Sequence, residues 1–199
     1  MDNKWVIFID VAVILIIVIC LLYCICRKPV ISDSGVVIES FKYPEMNINA
    51  AILYTVYKAD KYDYEFVEKW HKDIAFYIVN NGVETEWFKK MKELPGVHVL
   101  TRENKGWDLG GWKAGIEYWP ELAKYDTVAL VNNSCVYLID VYTFFAKSIG
   151  YDMYGISQCI CRVLPYHLSA TFIAVSKNLY NSDVFKEHWK KARMNGKHD

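Results

Sequence analysis

The sequence has 199 residues, with 23 basic and 23 acidic side chains and a formal net charge of +0. This length allows one domain of moderate size with a hydrophobic core, even after a membrane segment is subtracted. Because the charges balance, bulk electrostatics give no support for a phosphate-backbone partner, and the sequence argues against nucleic-acid binding.

The first predicted element is a transmembrane anchor at residues 5–26. This run is apolar except for Asp10, and it is long enough to cross a hydrocarbon layer about 30 Å thick. It is too long for the apolar part of a signal peptide, and no small-residue cleavage site follows it. We therefore expect the segment to be retained as an anchor.

The charges beside this run predict its orientation. Arg27 and Lys28 follow it directly, whereas Asp2 and Lys4 cancel each other before it. The positive-inside rule then predicts a single-pass membrane protein whose soluble domain faces the cytosol. The soluble part has an odd number of cysteines and no disulfide framework, which agrees with a reducing compartment.

Residues 27–49 are predicted to form a linker, and residues 50–199 a globular domain. Strand patterns at 50–57, 74–79 and 97–100 alternate with helical patterns at 62–70 and 84–91, and further strand patterns follow at 127–131, 152–156 and 171–175. This β-α-β order predicts an α/β fold with a mostly parallel sheet and helices on both faces. The loops after parallel strands share one edge of the sheet, so Tyr57, Asn80, Asn104 and Asn132 should gather there.

A glycine-containing block between Thr101 and Pro120 carries the strongest ligand-binding signal. A polar loop leads through N-K-G-W-D-L-G-G into a helical pattern. The N-terminus of a helix offers backbone N–H groups and a positive dipole end to an anion. The spacing is not G-x-G-x-x-G, so no dinucleotide site is predicted. The alternative is that Asp108 only caps the helix while the glycines pack it against the sheet.

Four segments together resemble the rhamnan-synthesis F-type glycosyltransferases. They are N-K-G-W-D-L-G-G-W-K-A-G-I, Y-D-T-V-A-L-V-N-N-S, Y-D-M-Y-G-I and Y-H-L-S-A-T-F-I-A-V-S-K-N-L-Y-N-S-D-V-F-K-E-H-W. The most specific part is the N-x-G-x-D-x-G block followed by the asparagine-rich strand end. The resemblance implies a GT-A-like, Rossmann-type domain that moves a hexosyl group, with rhamnose as one candidate, from a nucleotide-sugar donor onto a polysaccharide or glycoprotein glycan.

Candidate donor-binding residues lie in the glycine block and at the strand ends. The resemblance places Asn104 and Asp108 on the donor nucleotide, and a lysine of the block could meet phosphate as a point charge. Trp107 is the candidate acceptor contact, because an aromatic face packs against sugar C–H groups, whereas Trp112 is expected in the core. The donor-binding candidates are Thr55, Tyr57, Asn80, Asn104, Gly106, Asp108, Gly111, Lys113 and Asn132.

The segment Asn132-Asn133-Ser134 stands where GT-A enzymes place an acidic metal-binding pair, and where this family commonly has N-D-S. The resemblance therefore implies a Mn²⁺ or Mg²⁺ site, with Asn133, Ser134 and His167 as candidate ligands. An amide oxygen holds such a cation less firmly than a carboxylate does. The departure at Asn133 leaves both metal dependence and activity open.

Two residues are candidates for the chemistry. Asp152 is the candidate general base, because among the acids between Asn132 and His167 only Asp140 competes with it. His167 matches the family's histidine before a strand and could bind metal, bind phosphate or steer the acceptor, although a lone histidine is as often structural.

Two alternatives to an active transferase stay open at this point. A membrane-tethered protein with the same fold could bind a nucleotide sugar or glycan without turnover, which Asn133 favours, and a structural scaffold would bind no nucleotide. The family's usual chain continues beyond the closing helix, so we expect acceptor recognition here to be reduced or supplied by a partner. The sequence does not predict an oligomeric state.

Overall fold

The computed structural model of the chain describes residues 49–135, 137, 139–159, 167–168 and 171–192, with the backbone alone at 158–159 and 167–168. The predicted anchor at residues 5–26 and nearly all of the predicted linker at 27–49 lie outside these ranges. Within them, no helix combines the length and the apolar character needed to cross a membrane.

Strands and helices alternate along the described chain. The strands are β1 (Ala50–Val56), β2 (Ala75–Asn80), β3 (Val97–Thr101), β4 (Thr127–Asn132), β5 (Met153–Gly155), β6 (Gln158–Cys159), β7 (His167–Leu168) and β8 (Phe172–Ser176). The α-helices are α1 (Lys61–Trp70), α2 (Glu86–Lys92), α3 (Trp107–Tyr118), α4 (Val141–Ser148), α5 (Lys177–Asn181) and α6 (Asp183–Lys191), and a short 3₁₀ helix (Pro120–Lys124) follows α3.

A mixed sheet of six strands forms the centre, in the order β3-β2-β1-β4-β8-β5. Strand β1 is parallel to β2 and β4, and β2 is parallel to β3. Strand β8 is antiparallel to both of its neighbours, β4 and β5. The prediction of parallel strands is therefore correct for β1 to β4 and fails at β8, because the chain forms β5 at the outer position and then returns between β4 and β5.

Helices cover both faces of the sheet, as the alternation of patterns predicted. Strand β1 is buried along its whole length, as expected for a strand with both faces covered. Ile52 and Tyr54 pack in a core with the apolar residues of α1, α2 and α4. Ala51 and Leu53 pack in a second core with those of α3, α5 and α6. Trp112, Phe185 and Trp189 belong to this second core, which confirms the prediction that Trp112 lies in the core.

Glycines let helix α3 lie directly on strand β1. A Cβ atom on Gly111 would lie 2.4 Å from the Thr55 side chain, and one on Gly115 would lie 2.4 Å from Leu53. Real Cβ contacts are not that short, so a larger residue at either position would force the facing side chain or α3 itself to move. The packing alternative from the sequence is therefore correct for these glycines.

The strand order reverses between β1 and β4, because the chain adds β2 and β3 on one side of β1 and β4 on the other. Ligands of open α/β sheets bind outside the carboxyl ends of the strands at such a reversal. Here Thr55 of β1 pairs with Asn132 of β4. We call the end of the sheet at which the carboxyl ends of β1 and β4 lie the carboxyl edge, and the opposite end of these strands the amino edge.

Candidate functional site

A cavity of about 470 Å³ opens at the carboxyl edge beside β1 and β4. This volume lies within the range of small-molecule and cofactor sites, about 300–1,000 Å³. We call it the edge cavity. Its lining residues are Tyr57, Asn81, Asn104, Trp107, Asp108, Asn133 and Ser134.

Asp108 is the acidic group of the edge cavity, and residues of β4 hold it. The buried Asn132 donates from Nδ2 to Asp108 Oδ2 at 2.9 Å, and Asn132 Oδ1 accepts from the backbone N–H of Ser134 at 3.1 Å. Burial raises the pKa of Asp108, while hydrogen bonds from Asn132 and Ser134 lower it. The carboxylate is thus oriented by neutral donors.

Asp108 does not cap helix α3, although the sequence left that open. The N-cap residue is Gly106, with a φ of 72° and no side-chain capping bond. The first helical bond runs from Gly110 N to Gly106 O at 2.8 Å. The positive end of the helix dipole therefore lies at the edge cavity, where Trp107 and Asp108 begin the helix.

Two bulky residues beside the edge cavity have left-handed backbones. Among the described residues, the non-glycine positions with positive φ are Lys58 at 53° and Trp107 at 54°. Lys58 follows the lining residue Tyr57, and the side chain of Trp107 is 61% exposed. Such conformations cost about 1–3 kcal/mol and concentrate at binding and catalytic sites.

Asn81 and Arg102 fix the loop that carries Trp107, and the sequence interpretation missed both. Asn81 Nδ2 donates to Trp107 O at 2.7 Å. Arg102 Nη1 donates to Asn81 Oδ1 at 2.8 Å, and its Nη2 donates to Lys105 O at 2.9 Å. The available signal was the position of Asn81, a polar residue directly after β2.

The side-chain amide of Asn133 forms hydrogen bonds with Tyr57 and Asp63. Asn133 Oδ1 accepts from Tyr57 N at 3.1 Å, and Nδ2 donates to Tyr57 O and to Asp63 Oδ2, each at 3.1 Å. The amide thereby joins the segment after β4 to the loop after β1 and to helix α1.

Of the metal ligands that the family resemblance implies, the structure describes the side chains of Asn133 and Ser134, and the metal site stays a prediction. Asn133 Oδ1 accepts a hydrogen bond from Tyr57 N, and an amide oxygen is a neutral ligand for a cation. The side chain of His167 lies outside the described part. Across the described residues, no group of three or more His, Cys, Asp or Glu side chains is arranged to hold a metal ion.

A second, smaller cavity of about 220 Å³ adjoins the edge cavity through Asn133 and Ser134. We call it the Asp63 pocket. Asp63 is only 6% exposed; burial raises its pKa, while its hydrogen bonds lower it. The lining residues are Tyr54, Asp60, Tyr62, Asp63, Phe66, Asn133, Ser134, Cys135 and Tyr137.

The model of the family RgpF, rhamnan synthesis protein F, matches residues 75–198, which is more than half of the chain. The chain belongs to this family. Membership confirms the resemblance seen in the sequence and indicates a role in polysaccharide synthesis with glycan-related substrates. The RgpF match begins at β2, so β1 and α1 lie before it. Asp63 is a residue of α1 and therefore lies outside the matched range. No curated protein and no solved structure matches the chain at a significant level.

Of the candidate site residues of this RgpF-family chain, several line the edge cavity together. The donor candidates Tyr57, Asn104 and Asp108 do so, as does the acceptor candidate Trp107. The metal candidates Asn133 and Ser134 line both cavities.

Other donor candidates do not reach either cavity. Thr55, Asn80 and Asn132 are buried beneath the carboxyl edge, Gly111 packs on Thr55, and Gly106 is the N-cap of α3. Lys113 Nζ donates to the backbone oxygens of Lys190 and Ala192 at the end of α6. The buried residues support the site, whereas Lys113 serves helix packing.

The candidate general base Asp152 is not brought to the edge cavity, whereas the role of His167, whose side chain lies outside the described part, stays a prediction. Asp152 Oδ1 accepts from Ser176 Oγ at 2.9 Å, and Ser176 pairs with Thr127, the first residue of β4. Asp152 therefore lies at the amino edge, at the opposite end of β4 from Asn132. His167 pairs with Cys159 between β7 and β6, outside the six-stranded sheet.

Proposed function

We propose that the chain is a membrane-anchored glycosyltransferase with a GT-A-like domain, which moves a sugar from a nucleotide-sugar donor onto a glycan acceptor. The observation that carries this proposal is the polar edge cavity at the strand-order reversal of an RgpF-family chain. Cavities at such reversals bind nucleotides in many open α/β sheets. The anchor, the cytosolic side and the choice of sugar remain parts of the proposal that rest on the sequence.

The lining groups have the chemistry that a nucleotide sugar requires. Asp108 and Asn104 can hydrogen bond to ribose or base, and the exposed face of Trp107 can stack on a flat or apolar ring. The N-terminus of α3 supplies the positive potential for the diphosphate. Among the described residues that line the cavity there is no lysine or arginine, so helix dipole and amide groups carry this task.

The transfer itself is a substitution at the anomeric carbon. The acceptor hydroxyl oxygen forms a bond to that carbon, the bond from carbon to diphosphate oxygen breaks, and the diphosphate leaves with the electron pair. The hydroxyl proton passes to a base or to water. No step of this proposal passes through a metal ion, and Mn²⁺ and Mg²⁺ enter only as arms of the test.

The experiment is calorimetric titration of the full chain with a panel of nucleoside diphosphates and nucleotide sugars, with and without Mn²⁺. We expect one nucleotide class to bind. The variant Asp108→Asn should bind it about tenfold more weakly, because a charge-assisted hydrogen bond contributes about 1.5–3 kcal/mol. The matched control Asp152→Asn, at the amino edge, should bind like the unchanged chain. Absence of binding to every nucleotide would refute the transferase proposal.

A second candidate function is binding without turnover. Asn133 favours it, since the family commonly has an aspartate at this position and the amide here is engaged by Tyr57 and Asp63. This candidate predicts nucleotide binding with neither hydrolysis nor transfer of the sugar. Release of nucleoside diphosphate from the bound donor, followed by chromatography, distinguishes the two functions.

A further inference from the structure

The Asp63 pocket has a lining that combines one buried carboxylate with aromatic rings. Asp63 supplies the carboxylate, and Tyr54, Tyr62, Phe66 and Tyr137 supply the rings. The volume of about 220 Å³ lies below the range of about 300–1,000 Å³ for drug-sized ligands. An occupant is therefore no larger than one ring with its substituents.

The Asp63 carboxylate is held firmly by neutral donors. Oδ1 accepts from Tyr54 OH at 2.5 Å, and Oδ2 accepts from Asp60 N at 2.8 Å and from Asn133 Nδ2 at 3.1 Å. An ionised carboxylate has about four acceptor positions, so a further hydrogen bond can still reach Oδ1. The ion pairs among described residues do not include Asp63. The group is thus a fixed acceptor that no cation of the described residues neutralises.

We propose that the Asp63 pocket binds one sugar ring, with the Asp63 carboxylate accepting hydrogen bonds from ring hydroxyls and Tyr62 covering an apolar face of the ring. Hydroxyl groups that donate to a carboxylate form charge-assisted bonds, which are about twice as strong as neutral ones. Sugar C–H groups pack well against aromatic faces. The ring of Tyr62 is suited to this contact because it is 55% exposed at the pocket.

A divalent cation is a poorer occupant than a sugar. Ca²⁺ takes six to eight oxygen ligands, and Mg²⁺ demands near-ideal octahedral geometry. In the described part of the chain no cluster of three acidic, histidine or cysteine side chains could supply such a set. Asp60 Oδ1 already accepts hydrogen bonds from the backbone N–H groups of Tyr62 and Asp63. Aromatic rings fill much of the remaining lining.

The same geometry gives a physical reason for the amide at position 133. Asn133 Nδ2 lies 3.1 Å from Asp63 Oδ2. An aspartate at position 133 would place two carboxylates at about this distance, and like charges so close cannot both stay ionised. The amide instead donates to Asp63, and this hydrogen bond lowers the pKa of Asp63 against the raising effect of burial.

The proposal rests on the proposed function for the source of the sugar. Because the Asp63 pocket and the edge cavity share Asn133 and Ser134, a sugar in the pocket would lie beside a nucleotide in the cavity. It could be the sugar of the donor or the terminal sugar of the acceptor, and both offer the same ring hydroxyls to Asp63.

The test uses the full chain and ligand-observed NMR with free rhamnose, glucose, galactose and N-acetylglucosamine and their methyl glycosides. We expect at least one sugar to bind. Tyr62→Ala should weaken that binding about fivefold, since half-exposed aromatic contacts contribute about 0.5–1.5 kcal/mol. Asp63→Asn, checked for folding by circular dichroism, should weaken it at least about tenfold. Tyr118→Ala is the matched control, because Tyr118 is also exposed, at 61%, but lies at the far end of α3.

The same variants separate the two sources. If Tyr62→Ala weakens a nucleotide sugar but not the bare nucleoside diphosphate, the pocket holds the donor sugar. If a methyl glycoside and a nucleotide sugar bind together, and Tyr62→Ala weakens only the glycoside, the pocket holds the acceptor.

Several outcomes would overturn the proposal. These are binding of no sugar, equal sugar binding by all folded variants, and Mn²⁺ binding that Asp63→Asn abolishes. Sugar binding without nucleotide binding would leave this proposal standing and refute the proposed function. If a nucleotide binds equally to the unchanged chain and to both pocket variants, and no sugar binds, the pocket proposal is refuted and the proposed function is kept.

Discussion

At the carboxyl edge of the sheet, Asp63 and Asp108 are withdrawn from solvent and held by neutral donors, whereas Asp126 and Asp152 at the amino edge are exposed. Asp126 forms an ion pair with Lys177 at 3.3 Å. Burying a carboxylate costs free energy unless it is fully hydrogen bonded, while an exposed ion pair contributes only about 0–1 kcal/mol. The carboxyl edge therefore carries a stability cost that the amino edge avoids, as expected for an edge that binds a ligand.

The largest contrast between the edges should come from glycine substitutions. A Cβ atom on Gly110 would lie 1.9 Å from Lys105 O, a carbonyl that Arg102 already holds. Gly150, two residues before Asp152, has a φ of +87° and no neighbour within 4 Å of its Cβ position. Gly110→Ala should lower the free energy of unfolding by about 3 kcal/mol or more through overpacking. Gly150→Ala should lower it by only about 1–2 kcal/mol through backbone strain.

Urea denaturation followed by circular dichroism measures both glycine variants. Equal losses of stability would show that the loop carrying Trp107 adapts to a side chain at Gly110. The packing of that loop against α3 would then be looser than the contacts indicate.

A smaller effect is expected from the donors that hold the buried carboxylate. Tyr54→Phe removes the hydroxyl that donates to Asp63 Oδ1 and leaves a buried charge with one bond fewer. We expect a loss of about 1.5–3 kcal/mol in the free energy of unfolding. Tyr77→Phe is the control, because it breaks a hydrogen bond between two neutral hydroxyls, Tyr77 and Tyr125. Tyr77→Phe should lower the free energy of unfolding by about 0.5–1.5 kcal/mol. Urea or thermal unfolding of both variants measures the two losses, and a larger loss for Tyr77→Phe than for Tyr54→Phe would contradict this prediction.

The pH dependence of stability sharpens the same contrast. Burial raises the pKa of Asp63 above its ordinary value of 3.8 in the folded protein. A raised acid pKa gives stability that is complete below the unfolded pKa and is lost as pH rises through the folded pKa. The free energy of unfolding of the unchanged chain, minus that of Asp63→Asn, should therefore fall as pH rises from about 3.8 and then level off. Urea unfolding at a series of pH values measures it, and a flat difference would refute the burial argument.

The elements of the fold were predictable from the sequence because buried strands read as apolar runs. The runs A-A-I-L-Y-T-V and T-V-A-L-V-N form β1 and β4, close to the predicted bounds. The direction of β8 was not predictable, since an apolar run reads the same in either direction. The position of Asp152 at the amino edge was not predictable for a related reason. Its place in chain order does not say at which edge its strand begins.

The site was predictable only where one continuous segment carries it. Asn104, Trp107 and Asp108 stand together in the glycine block and line one cavity. Asp63 looks like an ordinary helix-capping acid, because Asp60 and Asp63 do form a capping box. Its proposed second role, in the Asp63 pocket, depends on Asn133, which is 70 positions away in the chain. Only the pairing of β1 with β4 brings these two side chains together.

The smallest expected effect tests the amino edge. Asp152 is exposed and accepts one hydrogen bond from Ser176 Oγ at 2.9 Å. Asp152→Asn keeps an acceptor oxygen there, so we expect a change within about 0.5 kcal/mol in the free energy of unfolding. Donor hydrolysis or transfer by this variant should also be unchanged, because the carboxylate lies at the opposite end of β4 from the edge cavity. A large loss of turnover with unchanged stability would restore Asp152 as a catalytic residue, and it would require the two edges of the sheet to act on one substrate.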